Sequence, residues 1–159
     1  MRYLLWIVSC LIVAVGGYWL VQYYYQPDNY SDDTTQDILI YFCKSEPTDI
    51  VQVAVDRTIP KTVMVATAAI QELLKGPTEA EKNEGLSTAI AEGTALNYVN
   101  IADGVATVDF DDQFDFQMGG SARVQAVYQQ IFKTLTQFPT VKDIKITINH
   151  GERPAVLEP

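Results

Sequence analysis

The sequence predicts a mixed α/β (α+β) domain, a two-layer sandwich of about five strands and two amphipathic helices, preceded by one transmembrane helix. Several short stretches are rich in β-branched and aromatic residues, or alternate apolar with polar residues, as strands do. Two longer stretches repeat apolar residues at three- and four-residue steps, as amphipathic helices do. These stretches follow an apolar N-terminal segment in the order ββ-α-ββ-α-β.

The charge balance restricts the class of partner. The 159 residues carry a formal net charge of −9, and Arg2 is the only charged residue before residue 27, which leaves −10 for the remainder. An acidic domain repels phosphate, so we expect no nucleic-acid partner and no direct binding to anionic lipid headgroups. The two cysteines, Cys10 and Cys43, have no metal-ligand spacing and predict no disulfide framework.

Residues 3–21 carry no formal charge and are long enough to cross a membrane as a helix, which needs about 20 apolar residues. Aromatic residues lie at both ends, as at membrane interfaces, and Arg2 precedes the segment while acids follow it. The positive-inside tendency then predicts a cytoplasmic N-terminus and a C-terminal domain outside the cytoplasm. We expect a single-pass signal anchor in the cell membrane.

Two alternatives for this segment are weaker. A cleaved signal peptide needs small residues at its cleavage site, but the residues after Leu20 are bulky and aromatic. Lipobox-like residues 7–10 suggest a lipoprotein acylated at Cys10, although the apolar run before Cys10 is short and continues well beyond it. The predicted organisation is an anchor at 1–25, a polar linker at 26–36, a domain at 37–150 and a C-terminal tail at 151–159.

The first half of the domain predicts a β-hairpin followed by a helix. Residues 37–43 are mostly apolar and residues 51–59 alternate, which predicts two paired strands. The helix is predicted to begin with Thr62 as N-cap and to end at Gly76-Pro77, because glycine takes the left-handed cap conformation and proline cannot continue the helix. A solvated loop of acidic and basic residues is expected to follow.

The second half predicts a second hairpin, a helix and a last strand. Asp103-Gly104 is a strong turn signal and predicts that the strands on either side of it pair antiparallel. Residues 121–138 repeat apolar residues along one helical face, with Ser121 as a candidate N-cap. Residues 141–148 alternate, which predicts a strand with one solvated face.

Three residues suggest chemistry, and each has a simpler interpretation. His150, the only histidine, lies in a predicted turn, where a solvent-exposed role is expected. Cys43 ends a predicted buried strand, where apolar surroundings keep a thiol protonated. Ser121 follows two glycines, but the stretch lacks the lysine of a P-loop and the nucleophile-elbow sequence of a serine hydrolase. We therefore predict no catalytic residue and no cofactor.

Residues 109–116, DFDDQFDF, form the densest acidic run of the chain. Alternating oxygen ligands suggest Ca²⁺, but the central glycine of an EF-hand loop is missing, so no metal site is predicted. We expect solvated acids around buried aromatic side chains instead. If Phe114 and Phe116 are exposed, they form an apolar patch that suits a protein partner.

Several motifs together resemble the GerMN domain, first described in spore germination and sporulation proteins. They occur in order over almost all of residues 37–150, and the set is specific although each motif alone is weak. The motifs are ILIYF at 38–42, RTIP at 57–60, ELLKGPT at 72–78, GLSTAI at 85–90, GVATVDF at 104–110 and TLTQFP at 134–139. One departure is Ala91, where the family usually has proline.

The resemblance implies an extracytoplasmic bacterial domain, similar to ring-building modules of envelope assemblies, with no catalytic residues attached to the family. We expect a non-enzymatic, membrane-anchored domain that mediates protein–protein interaction or assembly in the cell envelope. Its expected partner is an envelope protein or a second copy of the chain. A peptidoglycan-binding module is the alternative, and a hydrolase is a third hypothesis. The expected interaction surface comprises Lys75, Thr78, Glu81, Phe114 and Phe116.

Overall fold

Strand β1 (Thr35–Ser45) lies at the centre of the first of two sheets. The computed structural model describes residues 34–116 and 118–155. In it β1 pairs antiparallel with β2 (Ile50–Pro60) along its whole length, and with the two-residue β3 (Leu86–Ser87) on its other side. Alternate β1 residues Ile38, Ile40 and Phe42 are buried. The hairpin predicted from an apolar run followed by an alternating run is confirmed.

The second sheet has the order β4-β5-β6-β7. Its strands are β4 (Leu96–Ala102), β5 (Val105–Phe110), β6 (Asp143–Ile148) and β7 (Arg153–Pro154). The antiparallel β4–β5 hairpin is confirmed, and its turn residues Asp103 and Gly104 have φ of 51° and 82°. β5 and β6 pair in parallel, because a helix between them returns the chain to the same end of the sheet.

Three helices connect these strands: α1 (Val65–Leu74), α2 (Glu79–Asn83) and α3 (Ser121–Thr136). Helix α1 packs against β1 and β4, whereas α3 packs against β1, β2 and β6, so both helices contact both sheets. The apolar stripe predicted for α3 is buried along Val124, Val127, Ile131 and Leu135. One hydrophobic core contains residues from both sheets and from α1 and α3.

The mixed α/β class is confirmed, but the count of elements differs from the prediction. Two sheets and three helices are present among the described residues, instead of one layer of about five strands with two helices. The segment predicted as a solvated loop contains α2. A capping box formed by Thr78 and Glu81 lies at the N-terminus of this helix. Residues 151–155, assigned to the tail, include β7.

Both predicted N-caps are wrong. Thr62 Oγ1 accepts a hydrogen bond from the Met64 amide at 3.1 Å, which closes a local turn, and α1 begins only at Val65. Ser121 is the first helical residue of α3, and Gly120, with a φ of 84°, occupies the cap position. The predicted end of α1 is correct, since the helix stops at Leu74 and Gly76 has a φ of 75°.

Helix α3 closes one edge of β1 with side chains. The side-chain carboxamide of Gln137 takes the place of a neighbouring strand. Its Nε2 donates to Leu39 O at 2.7 Å, and its Oε1 accepts from Leu39 N at 2.9 Å. The Tyr41 amide donates to Thr134 Oγ1 at 3.2 Å, and Gln130 Nε2 donates to Tyr41 O at 3.2 Å. Gln130 and Thr134 of α3 and the C-cap residue Gln137 recur at helical spacing, so one helical face pairs with the strand edge.

The predicted membrane span at residues 3–21 lies outside the described residues, as do almost all of the linker and the end of the tail. Within residues 34–116 and 118–155, no helix has the length and apolarity needed to cross a membrane.

Candidate functional site

The corner between α1 and α2, residues 75–81, contains three of the residues predicted to form an interaction surface. Gly76 takes a left-handed conformation with a φ of 75°, and its amide donates to Leu73 O at 3.1 Å. This αL cap ends α1, and Pro77 then directs the chain into α2. Lys75 pairs with Glu72 at the surface, with 67% of the lysine side chain exposed.

Thr78 and Glu81 at this corner have structural roles that stabilise the fold. Thr78 Oγ1 accepts from the Glu81 amide, and Glu81 Oε2 accepts from the Thr78 amide at 2.8 Å. The same carboxylate receives a bidentate pair from Arg57 of β2, at 2.7 and 2.6 Å. Hydrogen bonds from Arg57 and Thr78 outweigh the effect of burial and lower the pKa of Glu81 to about 2. Glu81 therefore joins α2 to the first sheet.

A shallow cavity of about 260 Å³ lies beside this corner. Residues 73–77 form one wall, and residues 90–93 form another, including Ala91 where the family usually has proline. Glu92 O in that second wall accepts a hydrogen bond from Gln113 Nε2 at 3.1 Å. Segment 90–93 thus connects the corner to the loop that contains Phe114 and Phe116.

The two phenylalanines of this loop have different environments. Phe114 is fully buried and stacks on Phe110 with ring centroids 4.3 Å apart, so its side chain is removed from the predicted interaction surface. The Phe114 amide donates to Asp111 O, which turns the loop back over the core. Phe116, two residues further, is 58% exposed.

Asp109 is fully buried, so the expectation of solvated acids is wrong at this position. Its Oδ1 accepts from Asn97 Nδ2 at 2.8 Å and the His150 amide at 2.7 Å. Its Oδ2 accepts from Thr147 Oγ1 at 2.6 Å and the Gly151 amide at 2.8 Å. Burial alone would raise the pKa of Asp109, but these four hydrogen bonds together lower it. The carboxylate fixes the turn after β6.

The other acids of the run form a clamp on Arg153. Asp112 Oδ1 lies 3.0 Å from Arg153 Nη2, and Asp115 binds both terminal nitrogens of the same guanidinium. Hydrogen bonds from Asn149 and Arg153 lower the pKa of Asp112. These contacts fasten β7 to the loop before α3. Within residues 34–116 and 118–155, no group of three or more potential ligands is arranged to hold a metal ion.

The three candidate nucleophile and base residues have separate surroundings. The Cys43 thiol donates to Gln130 Oε1 at 3.3 Å and accepts from Gln52 Nε2 at 3.4 Å. Burial raises the pKa of this thiol and outweighs its hydrogen bonds. His150 lies in the turn after β6 of the second sheet, and its ring stacks on Tyr98 with the ring centroids 6.5 Å apart. Ser121 is exposed at the start of α3.

An apolar surface near α1 was not predicted. Val63 is fully exposed, Met64 is 61% exposed and Ile101 of β4 is 38% exposed. They line a groove of about 370 Å³, the α1–β4 groove, formed by residues 63–67, residues 99–101, Phe138 and Thr140. The sequence signal for this surface was the apolar run VMV at 63–65, where α1 begins. Its first two residues precede the helix and lie outside the buried stripe of α1.

Comparisons with known proteins agree with the predicted resemblance. Residues 39–153 match the model of the Germane family, described as sporulation and spore germination. The structure is similar to the tandem GerMN domains of the sporulation protein GerM from Bacillus subtilis, with a TM-score of 0.61 and 27% identity over 75% of this chain. The aligned part is 40% of the tandem structure.

The first GerMN domain of the same protein, solved separately, gives a TM-score of 0.58 and 26% identity over 74% of this chain and 86% of that domain. A search of curated protein sequences gave no match. The match to the family model covers more than two thirds of the sequence, and the aligned structures have the same mixed α/β fold. The chain therefore belongs to the Germane family of sporulation and spore germination domains.

Proposed function

We propose that this protein is a non-enzymatic, membrane-anchored component of the bacterial cell envelope, and that its Germane domain binds another protein outside the cytoplasm. The observation that carries the proposal is the distribution of side chains over the domain. Its buried or paired polar groups stabilise the fold, while large apolar side chains at Val63, Met64 and Phe116 are exposed. Val63 and Met64 line the α1–β4 groove together with Ile101, and exposed apolar groups that cluster in this way are typical of protein-binding sites.

The polar groups most able to do chemistry support this interpretation. The Asp109 carboxylate is saturated by four hydrogen bonds, and the Glu81 carboxylate is shared between Arg57 and a helix cap. The Cys43 thiol is buried and its raised pKa disfavours the thiolate that a nucleophile needs. Each of these groups has a structural role that explains its presence.

The location outside the cytoplasm rests on the apolar segment at residues 3–21 and on the charge on either side of it. This topology is tested on the full chain by protease treatment of cells whose wall has been removed and whose membrane is intact. We expect digestion of the domain in intact cells and a protected N-terminal fragment. Protection of the whole domain until the membrane is dissolved would contradict the proposal.

Partner binding is tested by placing a photo-crosslinking amino acid at Phe116 or Val63 in the full chain, in cells. A matched control position is Glu84, which is exposed but charged. We expect one discrete crosslinked species from an apolar position, identified by mass spectrometry, and none from Glu84. Crosslinks at no exposed position would count against a protein partner. Co-sedimentation with purified peptidoglycan by the same protein would instead support the cell-wall alternative.

A further inference from the structure

Strand β4 forms one edge of the second sheet. Among residues 34–116 and 118–155 it pairs with β5 alone, in the register Ala102↔Val105, Asn100↔Thr107 and Tyr98↔Asp109. In a hairpin with a two-residue turn, the residues flanking the turn exchange both backbone hydrogen bonds, and every second pair along the ladder does the same. The N–H and C=O groups of the intervening residues, Val99 and Ile101, therefore point away from β5.

This edge lacks the charges and the proline that protect many edge strands against an added strand. The sequence of β4, LNYVNIA, contains no charged residue and no proline. The outer edge of the other sheet, in contrast, is β2, which contains Asp56 and Arg57 and ends in Pro60. Charges and proline are the features by which natural edge strands resist pairing. A bulge near Asn97 limits the regular part of the β4 edge to residues 98–102.

The α1–β4 groove lies directly beside this edge. Val99 and Ile101 of β4 line the groove together with the exposed Val63 and Met64, which precede α1. Side chains of a strand added to β4 would alternate, so every second side chain would lie on the same face as Ile101. Those side chains would cover Met64 and Phe138, and the intervening ones would face solvent.

The size and charge of the groove indicate what kind of chain it fits. Ten residues line it, whereas a stable globular interface uses about 20–30 residues a side, so the groove suits an extended segment. All ten lining residues are uncharged. A second copy would bring its own net charge of −9 toward the first, which disfavours self-association at this site.

We propose that the β4 edge and the α1–β4 groove together bind an extended, uncharged segment of another protein as an added strand, with apolar side chains at alternate positions. This proposal rests on the proposed function and names the surface and the chemistry of the partner segment. Backbone hydrogen bonds to Val99 and Ile101 provide affinity, and the apolar wall selects the side chains.

The first test is amide hydrogen exchange on the full-length protein without partner. We expect rapid exchange at Val99 and Ile101 and slow exchange at Asn100, whose amide pairs with Thr107. Adding a blocked nine-residue peptide of alternating valine and threonine should slow exchange at Val99 and Ile101. Protection of both amides before the peptide is added would overturn the proposal, because the chain itself would then cover the edge.

The second test distinguishes strand addition from unspecific apolar binding. Two further peptides carry N-methyl groups on either all valine or all threonine amides, which removes the donors from one edge of the peptide only. We expect one methylated peptide to lose binding and the other to retain it. Equal binding by both would overturn the proposal, since backbone pairing would then contribute nothing.

Variants complete the test. Ile101→Pro removes one outward donor and one apolar side chain. We expect it to weaken peptide binding by about tenfold or more. Met64→Lys introduces a charge into the groove without changing β4, and should weaken binding similarly. The matched control is Ile50→Pro, because Ile50 is also 38% exposed but lies at the start of β2 in the other sheet. Unchanged binding by Met64→Lys would contradict the assigned groove.

Two outcomes separate this proposal from the proposed function. A crosslinked partner that still binds the Ile101→Pro and Met64→Lys proteins would overturn the β4 site and leave the protein-binding function standing. A concentration-dependent dimer that Ile101→Pro abolishes would show that a second copy occupies the edge, which contradicts the partner chemistry proposed.

Discussion

Glu81 stabilises two parts of the domain at once, because its carboxylate caps α2 and binds Arg57 of β2. Its folded-state pKa of about 2 lies below the ordinary value of 4.5. The stabilisation is therefore fully present above pH 4.5 and is lost as the pH falls toward 2. We predict that Glu81→Gln lowers the free energy of unfolding at pH 7 by about 1.5–3 kcal/mol. Denaturant unfolding at several pH values measures both effects.

The matched control for this prediction is Glu79→Gln. Glu79 also lies in the first turn of α2, but it is 87% exposed and pairs with Lys82 at the surface. Surface pairs contribute about 0–1 kcal/mol, so the control should keep most of the stability and the acid dependence of the wild type. An acid-unfolding profile of Glu81→Gln identical to the wild type would contradict the role assigned to this carboxylate.

Asp109 provides a second prediction for a single residue. Its two oxygens accept four hydrogen bonds, two of them from backbone amides that cannot rotate. Asp109→Asn replaces one oxygen with a donor, which leaves at least one buried donor without an acceptor. We predict a loss of about 1–3 kcal/mol in the free energy of unfolding for each such donor. Thermal and denaturant unfolding measure it, and Asp112→Asn, at a 70% exposed position, serves as control.

Among whole elements, α3 has an unusual role because its polar face replaces a strand beside β1. Gln137→Leu keeps the size of the side chain but leaves Leu39 N and O without partners. We predict a loss of about 1–3 kcal/mol in the free energy of unfolding. The control is Gln125→Leu, an exposed position on the same helix. If both variants unfold at the same denaturant concentration, the side-chain pairing contributes nothing to stability.

Most elements follow from local patterns in the sequence. A mostly apolar run predicted β1, and alternation predicted β2 and β6. The Asp103-Gly104 pair predicted the second hairpin, and three- and four-residue spacing predicted α3. The helix starts did not follow, because Thr62 bonds to a nearby amide and Gly120 takes the cap position of α3. The two-sheet arrangement depends on the parallel pairing of β5 with β6, which no local pattern specifies.

The candidate surface was only partly predictable. The corner at Lys75, Thr78 and Glu81 was found by its motif, but the motif did not show that Arg57, 24 positions earlier, binds Glu81. Phe114 and Phe116 are identical residues two positions apart, and only the folded loop places one in the core and the other at the surface. Burial of a loop side chain depends on distant neighbours, which composition does not reveal.

The whole domain unfolds as one unit if its core is continuous. Residues of both sheets and of α1 and α3 share a single hydrophobic cluster, and α3 contacts strands of both sheets. We predict that Leu135→Ala, at a fully buried position of α3, lowers the free energy of unfolding by about 2–5 kcal/mol. Ile40 of the first sheet and Val108 of the second should lose amide protection to the same extent.

Hydrogen exchange under native conditions measures these two amides in the same sample. Val63→Ala is the matched control, because the side chain is fully exposed and its removal should change neither value. Loss of protection in the first sheet alone would show that the sheets open independently and would contradict a single cooperative domain.

The side-chain closure of β1 has a consequence for the newly synthesised chain. Leu39 and its partner Gln137 are 98 positions apart, so the ribosome must produce most of the domain before this edge is closed. During that interval the apolar β1 segment exposes unpaired backbone, which favours aggregation. A chaperone that shields residues 35–45 until α3 emerges would raise the yield of folded protein. Substitutions at Gln137 would lower that yield in cells even where the purified protein remains stable.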